Sequence, residues 1–349
     1  MKKLMKNKLL FGLVCVFIVV AIAAAGCMIY MNSLDKAFDS SKPDTINITI
    51  ESGSTTDDIG RLLEEKGIIE SATAFKYFSK FKSYDSKYQA GNYALSPAMK
   101  LSEIADIIMS GKTNNMTVTI PEGYTIYQMA DKLADEGLVD KEKFKSLLVN
   151  GKFDYDFLKG AQKGKNHLEG YLFPETYTIE YNADEKTIIE TMLDQFGGIF
   201  NDEFKKQADK LGYSINDIIV IASVIERECQ VDEERGKVAS VIYNRLKEEM
   251  PLQMCSTVQY VLGKQKETLT NADTEISSPY NTYINAGLPP GPICCPGLAS
   301  IKAALYPEDT DYLYFVVSDK LDGTQKFSSD YNQFLKDKDA YYKALEGQE

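Results

Sequence analysis

The sequence predicts an α+β protein with a single N-terminal transmembrane helix, a small α/β domain and a larger, mixed α+β domain. Three observations support this fold class: an apolar run near the N-terminus, a strand–turn–helix pattern that occurs twice, and amphipathic helices after residue 141. The 349 residues suggest about two domains beside a membrane segment. We therefore expect a cytoplasmic tail over 1–8, a transmembrane helix over 9–31, a linker over 32–44, and domains over 45–113 and 114–349.

The apolar run over 9–31 exceeds both the ~20 residues that a membrane helix requires and the ~15-residue core of a cleaved signal peptide. Lysines precede the run and acidic residues follow it, so we expect the N-terminus in the cytoplasm and the remaining chain outside. Alternatively, residues 24–27, which end in Cys27, resemble a lipoprotein signal. Both alternatives tether the same domains to the outer face of the cytoplasmic membrane.

The segment after the linker contains a repeat with a spacing of 70 residues. Each copy consists of a strand, a glycine turn and a helix that ends before a second glycine. These glycines are Gly53 and Gly67 in the first copy and Gly123 and Gly137 in the second. The second copy covers 114–150, and another strand is predicted over 91–95 between the copies. In this order of elements the units resemble the LysM-like fold, a peptidoglycan-recognition module; the alternative is a generic α/β scaffold.

Amphipathic helices are expected in the second domain over 186–211, 218–229 and 233–249. Asn216 and Asp217 are predicted to cap the second of these helices. A proline-rich loop over 279–297 precedes a strand over 312–317 that is predicted to be buried, and Asp322-Gly323 indicates a hairpin turn. A final helix is expected after the hairpin.

Composition excludes several kinds of site. The net charge of −12 argues against a nucleic-acid partner, because binding a polyphosphate needs a basic surface. His167 is the only histidine, so a multi-histidine zinc site is excluded and no metal ligand set is expected. The C-terminal half permits one disulfide if it lies outside the cytoplasm, or else carries free thiols, at Cys229, Cys255, Cys294 and Cys295.

Glu169 is the first candidate for catalysis. Its neighbours Leu168, Tyr171 and Phe173 are apolar or aromatic, and partial desolvation among them would raise the pKa of the carboxyl group. A carboxylic acid that stays protonated near neutral pH is the proton donor that a glycosidic oxygen needs. Gly170 removes a side chain beside the acid, so a bulky substrate is expected to approach closely. The alternative is a strand or turn whose glutamate points into water.

A second carboxylate for hydrolysis is harder to find. Glu175 lies about 20 Å from Glu169 if the segment is extended, which is far beyond the ~5–9.5 Å between paired glycosidase carboxylates. Glu226 and Glu228 differ by roughly 200° around a helix, so both cannot face one cleft. Of these two, Glu228 is expected at a solvated helix end.

Several other residues are candidates for substrate binding. Neutral hydrogen-bonding and stacking groups of the kind that bind sugars occur in predicted loops, at Gln253, Tyr280, Asn281, Thr282 and Tyr283. Turn formation is the alternative explanation of this cluster. We also predict Tyr171, Glu226, Asn244 and Arg245 as binding residues; Arg245 either pairs with an acid or holds a substrate carboxylate.

Five ordered motifs together resemble those of the endolytic murein transglycosylases, the YceG-like family. They begin with Leu168-Glu169-Gly170-Tyr171-Leu172-Phe173-Pro174-Glu175-Thr176-Tyr177 and continue over 222–228, 238–246, 252–253 and 279–293. One departure concerns an Asp-Pro pair of many members, because Cys255 and Ser256 stand at the matching positions here. A role for an acid at these two positions is therefore in doubt. Glu169 is then left without this second acid.

The resemblance implies a membrane lyase that cleaves the β-1,4 bond between N-acetylmuramic acid and N-acetylglucosamine in nascent glycan strands, leaving 1,6-anhydro ends. It implies Glu169 as the catalytic residue, peptidoglycan strands as substrate, peptidoglycan synthases as partners, and no cofactor. The alternatives are a hydrolytic muramidase and a membrane-anchored, peptidoglycan-binding scaffold without catalysis. We further expect that the thiols of Cys294 and Cys295 are not required for activity.

Overall fold

The structure, a computed structural model, describes residues 2–111, 113–180, 183–266 and 268–347. The chain forms two compact units, Met1–Met116 and Thr117–Glu349. Both helices and short strands are present, so the predicted mixed α+β class is confirmed. The side chains of 2–14, Ala24, Cys27 and Met31 lie outside the described part, and with them the charged tail and the alternative lipoprotein signal.

The first helix, α1 (Lys2–Leu34), contains the predicted membrane segment. Its portion Cys15–Leu34 is long and apolar enough to cross a membrane, judged by length and composition. The helix is thus compatible with the predicted anchor.

The rest of the first unit is a two-stranded sheet packed against helices. Strand β1 pairs antiparallel with β2, and Ile48 lies opposite Tyr93. Ile48, Leu63, Phe75 and Tyr93 are at most 3% exposed and belong to one core. The elements are β1 (Ile46–Ile50), α2 (Thr56–Glu65), α3 (Ala72–Phe81), β2 (Gly91–Leu95) and α4 (Leu101–Ser110). Both predicted strands are confirmed, whereas sequence reasoning missed α3.

The second unit begins with the other copy of the repeat. Its elements are β3 (Met116–Thr119), α5 (Ile126–Asp135), α6 (Lys141–Asn150) and β4 (Thr176–Ile179), and β4 pairs with β3. The two copies share their local chemistry: Thr55 and Thr125 each close a capping box, and Gly53 and Gly123 have φ values of +86° and +75°. A long insertion between α6 and β4 distinguishes the second copy, and Glu169 lies on it.

Helix α9 (Ile215–Glu228) is the central element of the second unit. Every residue from Ile218 to Ile225 is buried, as expected of a helix that is covered on all sides. Its start differs from the prediction, because Ser214 rather than Asn216 is the N-cap and exchanges hydrogen bonds with Asp217. The surrounding helices are α7 (Glu185–Ile199), α8 (Asp202–Leu211), α10 (Arg235–Lys247), α11 (Cys255–Leu262), α12 (Asn271–Thr274) and α13 (Leu298–Leu305).

The chain ends in an antiparallel hairpin, β5 (Tyr314–Val317) and β6 (Gln325–Ser328), and helix α14 (Tyr331–Glu346). The prediction that the first of these strands is buried is wrong, since its residues are partly exposed and Val317 is 36% exposed. A two-stranded sheet covered by one helix cannot enclose an apolar strand on both faces.

Candidate active site

The Glu169 side chain is completely buried, and three donors surround its carboxyl group. The backbone N–H of Ile126 donates to Oε1 across 3.1 Å, and the hydroxyl of Tyr260 donates to Oε2 across 3.2 Å. The thiol of Cys295 lies 3.9 Å from Oε1. The segment around Glu169 is a series of turns. Because the side chain is 0% exposed, the alternative that it points into water is wrong.

Two opposing influences act on this acid. Burial raises the pKa of Glu169 to about 8, because the anion loses its hydration, while the donors from Ile126, Tyr260 and Cys295 lower it. Ile126 is the first residue of α5, so the positive end of a helix dipole also faces the carboxyl group. The acid is therefore mostly protonated at neutral pH. The donors that stabilise its carboxylate form are already in place before it loses the proton.

Gly170 serves packing within the protein. Its φ is +88°, and a Cβ at this position would lie 2.6 Å from Pro292 and 2.7 Å from Ile219. The expectation that this glycine leaves room for substrate is therefore wrong, because the proline-rich loop and α9 occupy the space. The glycine instead lets the turn that carries Glu169 pack tightly against both elements.

A cavity of about 520 Å³ lies beside Glu169. Tyr127, Asn166, Tyr260 and Tyr280 line it together with Gln128, Gln259 and Arg227. The Tyr127 hydroxyl donates to Asn166 Oδ1 across 3.4 Å, and Asn166 Nδ2 donates to the Tyr260 hydroxyl across 2.7 Å. Since Tyr260 in turn contacts Glu169, the acid lies one hydrogen bond behind the cavity wall.

The lining of this cavity suits a carbohydrate. Tyrosine rings offer apolar faces for sugar rings, and amide side chains donate and accept hydrogen bonds without charge. The rings of Tyr260 and Tyr280 lie 4.9 Å apart between centroids. Asp131 also lines the cavity, and its carboxylate pairs with Lys145 at 2.8 Å and Lys141 at 3.1 Å.

The predicted binding residues of the proline-rich region have different surroundings. Tyr280 lines the cavity, and its hydroxyl bonds to Gln162. Asn281 and Thr282 are buried, and their side chains bond to backbone groups, among them the carbonyl of Ile276 and the N–H of Met254. The Tyr283 hydroxyl lies 3.1 Å from Cys255 Sγ. Gln253 is exposed and has a φ of +51°.

Among the remaining predicted binding residues, Tyr171 stacks against Phe157 inside the core. Glu226 accepts a hydrogen bond from the Gly297 N–H at 3.0 Å and lies 3.5 Å from Arg235. Asn244 and Arg245 hold the start of the C-terminal hairpin, since they donate to the carbonyls of Tyr312 and Leu313, respectively. These four side chains therefore have partners within the protein.

The other acids considered from sequence lie elsewhere. Glu175 lines a separate cavity of about 310 Å³ together with Glu122. The expectation that Glu228 lies at a solvated helix end is wrong. Its side chain is half-buried, and its carboxylate accepts a hydrogen bond from the Ser256 N–H at 2.9 Å. Burial raises the pKa of Glu228. The first turn of α11 covers this carboxylate.

Sequence reasoning missed Tyr127, Asn166 and Tyr260, which join Glu169 to the cavity. The Thr125–Gln128 capping box was a signal for the helix end that faces Glu169. Helix α11, which carries Tyr260, was not recognised because it is short and follows Pro251 closely.

Within the described ranges, the cysteines of the second unit are free, and no group of three or more potential metal-binding side chains occurs. Cys294 and Cys295 are both buried.

Comparison with known proteins gives concordant results. A family model described as the YceG-like family matches residues 48–340. The chain is 37% identical over 328 residues to an endolytic murein transglycosylase of Bacillus subtilis, covering 90% of each chain. It is 31% identical to an endolytic murein transglycosylase of Streptococcus pneumoniae, where the match covers 84% of this chain and 58% of the relative.

Among solved structures, a YceG-like protein of Listeria monocytogenes is similar, with 35% sequence identity and a TM-score of 0.56. The match covers 84% of this chain and 99% of that structure.

Proposed function

The chain belongs to the YceG-like family, and from this we propose that it is an endolytic peptidoglycan lytic transglycosylase. It cleaves the β-1,4 bond between N-acetylmuramic acid and N-acetylglucosamine within nascent glycan strands and leaves 1,6-anhydro ends, which terminates elongation. The single observation that carries this proposal is the fully buried Glu169 behind the wall of a cavity lined by tyrosines and amides.

One acid is sufficient for this reaction. Glu169 supplies the proton that the leaving O4 needs, and the carboxylate formed then takes the proton of the sugar's 6-hydroxyl as that oxygen closes on C1. No water is activated, so a second carboxylate is not required, in contrast to hydrolysis. The attack is intramolecular, which removes the entropic cost of bringing a second molecule into place.

The three donors around Glu169 support both halves of this cycle. The N–H of Ile126 and the hydroxyl of Tyr260 favour the carboxylate after the first proton transfer, while burial favours the acid before it. Tyr280 is the predicted binding residue that contacts the cavity, and we assign it a stacking role toward a sugar ring.

We extend the proposal to the setting of the enzyme. Helix α1 anchors the protein in the cytoplasmic membrane with the second unit outside, where peptidoglycan synthases supply nascent strands. The first unit acts as a LysM-like glycan-binding module, an assignment supported by the repeat of capping boxes and glycine turns in both copies.

A hydrolytic muramidase is the second candidate, favoured by one observation. Asp131 lines the cavity, and Lys145 and Lys141 hold its pKa below the usual value, so it is ionised at neutral pH. A hydrolase would use such a carboxylate to activate water or attack C1. The products decide between the two reactions, since only hydrolysis adds a water molecule.

The test is incubation of the purified protein with glycan strands in ¹⁸O-labelled water, followed by mass spectrometry of the ends. We expect anhydro ends without label, and a loss of about 10²–10⁴-fold in their rate for Glu169→Gln. Glu175→Gln, whose acid lines the other cavity, is the matched control and should retain activity. Labelled reducing ends would establish the muramidase. Binding of glycan strands without any new ends would indicate a scaffold without catalysis.

A further inference from the structure

The route from Glu169 to the cavity passes through one hydroxyl group. Glu169 is 0% exposed and does not line the cavity, whereas Tyr260 does and lies 3.2 Å from its Oε2. A glycosidic oxygen held in the cavity would therefore meet Tyr260 before it met the acid.

We propose that Tyr260 is a catalytic residue that relays the proton between Glu169 and the glycosidic oxygen. This inference rests on the proposed transglycosylase activity and concerns how its acid reaches the substrate. Its basis is the arrangement of Glu169, Tyr260 and Asn166 in one hydrogen-bonded line at the cavity wall.

Hydrogen-bond valence supports the relay. A phenolic oxygen accepts two hydrogen bonds and donates one. When Glu169 is protonated, its O–H donates to the Tyr260 oxygen, and Asn166 Nδ2 donates to the same oxygen across 2.7 Å. Both acceptor positions are then filled, so the Tyr260 hydrogen turns to the other acceptors beside it, the Tyr280 hydroxyl and a substrate oxygen held in the cavity.

The transfer balances in both directions. In the first step the Glu169 O–H bond breaks as a Tyr260 O–H bond forms, while the original Tyr260 O–H bond breaks and its proton joins O4. The C1–O4 bond breaks at the same time, its electron pair stays on O4, and C1 is left with positive charge. Glu169 is left as a carboxylate and Tyr260 is again neutral. In the second step the 6-hydroxyl proton passes to Tyr260 as the Tyr260 proton returns to Glu169, and the 6-oxygen closes on C1.

The surroundings of Tyr260 suit a concerted transfer. Burial and the nearby carboxyl group of Glu169 raise the pKa of Tyr260 well above its ordinary value, so a free phenolate does not accumulate. The Tyr280 ring, which is tilted by 46° against the Tyr260 ring, and the bond from Asn166 hold the hydroxyl in place. Positioning of this kind is what a proton relay requires.

The test compares Tyr260→Phe with a matched variant. Tyr155→Phe also removes a hydroxyl that donates to a carboxylate, at 2.7 Å from Asp194, but this residue does not line the cavity. The rate of anhydro-end formation is measured across pH for both variants, together with thermal unfolding. We expect a loss of about 10²–10⁴-fold for Tyr260→Phe at every pH and little change for Tyr155→Phe.

A double variant sharpens the result. If Glu169 and Tyr260 act in one relay, Glu169→Gln combined with Tyr260→Phe should lose little more than either single variant. If Tyr260 only stabilises the carboxylate, its removal would keep the rate near neutral pH and move the alkaline limb to higher pH, which would overturn the relay.

The wild-type measurement separates this inference from the proposed function. Wild-type protein that forms no anhydro ends would defeat both the activity and the relay. Wild-type protein that forms them, together with an active and folded Tyr260→Phe variant, would defeat the relay alone.

Discussion

The backbone N–H of Ile126 donates to the carboxyl group of Glu169 across 3.1 Å, which joins the first turn of α5 to a turn 43 positions later. The capping box of Thr125 and Gln128 serves neighbouring donors of that helix and leaves this N–H for the acid. A helix end thus stabilises the anion that burial disfavours. The balance keeps the proton on Glu169 until a substrate needs it, without making its release prohibitively costly.

The raised pKa of Glu169 predicts the pH dependence of the reaction. The acid must be protonated at the start of each turnover, so the rate should fall as pH rises through about 8, by up to tenfold per unit beyond it. Single-turnover rates of anhydro-end formation between about pH 4 and pH 10 would measure this. A rate that declines instead through the ordinary range of glutamate, near 4.5, would contradict the assignment.

The same acid should limit stability. Because the pKa of about 8 in the folded state exceeds the ordinary value of 4.5, the folded state binds more protons than the unfolded state between these values. The contribution of Glu169 to the free energy of unfolding therefore decreases as pH rises from about 4.5 to about 8. Glu169→Gln, which does not titrate there, should gain stability over wild type by up to about 1.4 kcal/mol per pH unit.

Urea unfolding of both proteins at several pH values would measure this difference. Its growth should cease above about pH 8, where the wild-type acid is ionised in both states. An equal difference at every pH would indicate that Glu169 titrates normally in the folded protein.

Gly170→Ala should destabilise the protein through two effects. An alanine at φ +88° is strained by about 1–2 kcal/mol, and its Cβ would overlap Pro292 and Ile219, which adds about 1–3 kcal/mol. Gly164→Ala is the matched control, because φ there is +100° but nothing lies within 4 Å of the added Cβ. Thermal denaturation should show the larger loss for Gly170→Ala. Equal losses would mean that only backbone strain matters.

Arg245 tests a binding role against a structural one. Its guanidinium donates to the carbonyls of Leu313 at 2.6 Å, Leu252 at 2.8 Å and Pro251 at 3.2 Å. A lysine cannot span three acceptors in this fork, so Arg245→Lys should lower the free energy of unfolding by about 2–4 kcal/mol. Glycan binding by the folded variant should stay unchanged, as measured by co-sedimentation. If Arg245→Lys left the stability unchanged but lost glycan binding, the prediction that Arg245 contacts the substrate would be supported.

The sequence predicted those features that depend on neighbours in the chain. Alternation of apolar residues located β1, and the spaced glycines located the repeat, because turns and caps are local. Glu169 was identified by its apolar surroundings and by resemblance, and its segment was found buried among those same residues. Local rules also misplaced two features, since Glu228 is covered by α11 and the space beside Gly170 is filled by Pro292.

Only the tertiary structure decided which groups surround the acid. Tyr260 lies 91 positions after Glu169, and Cys295 lies 126 positions after it, so no spacing rule connects them. Likewise, Arg245 and Asn244 look like binding groups in sequence but satisfy backbone carbonyls of the C-terminal hairpin. The sequence by itself identified Glu169 as a candidate acid in apolar surroundings, and left open that its side chain points into water. Folding decided what the acid contacts, because burial is favoured by local apolar composition whereas hydrogen-bond partners are set by packing between distant elements.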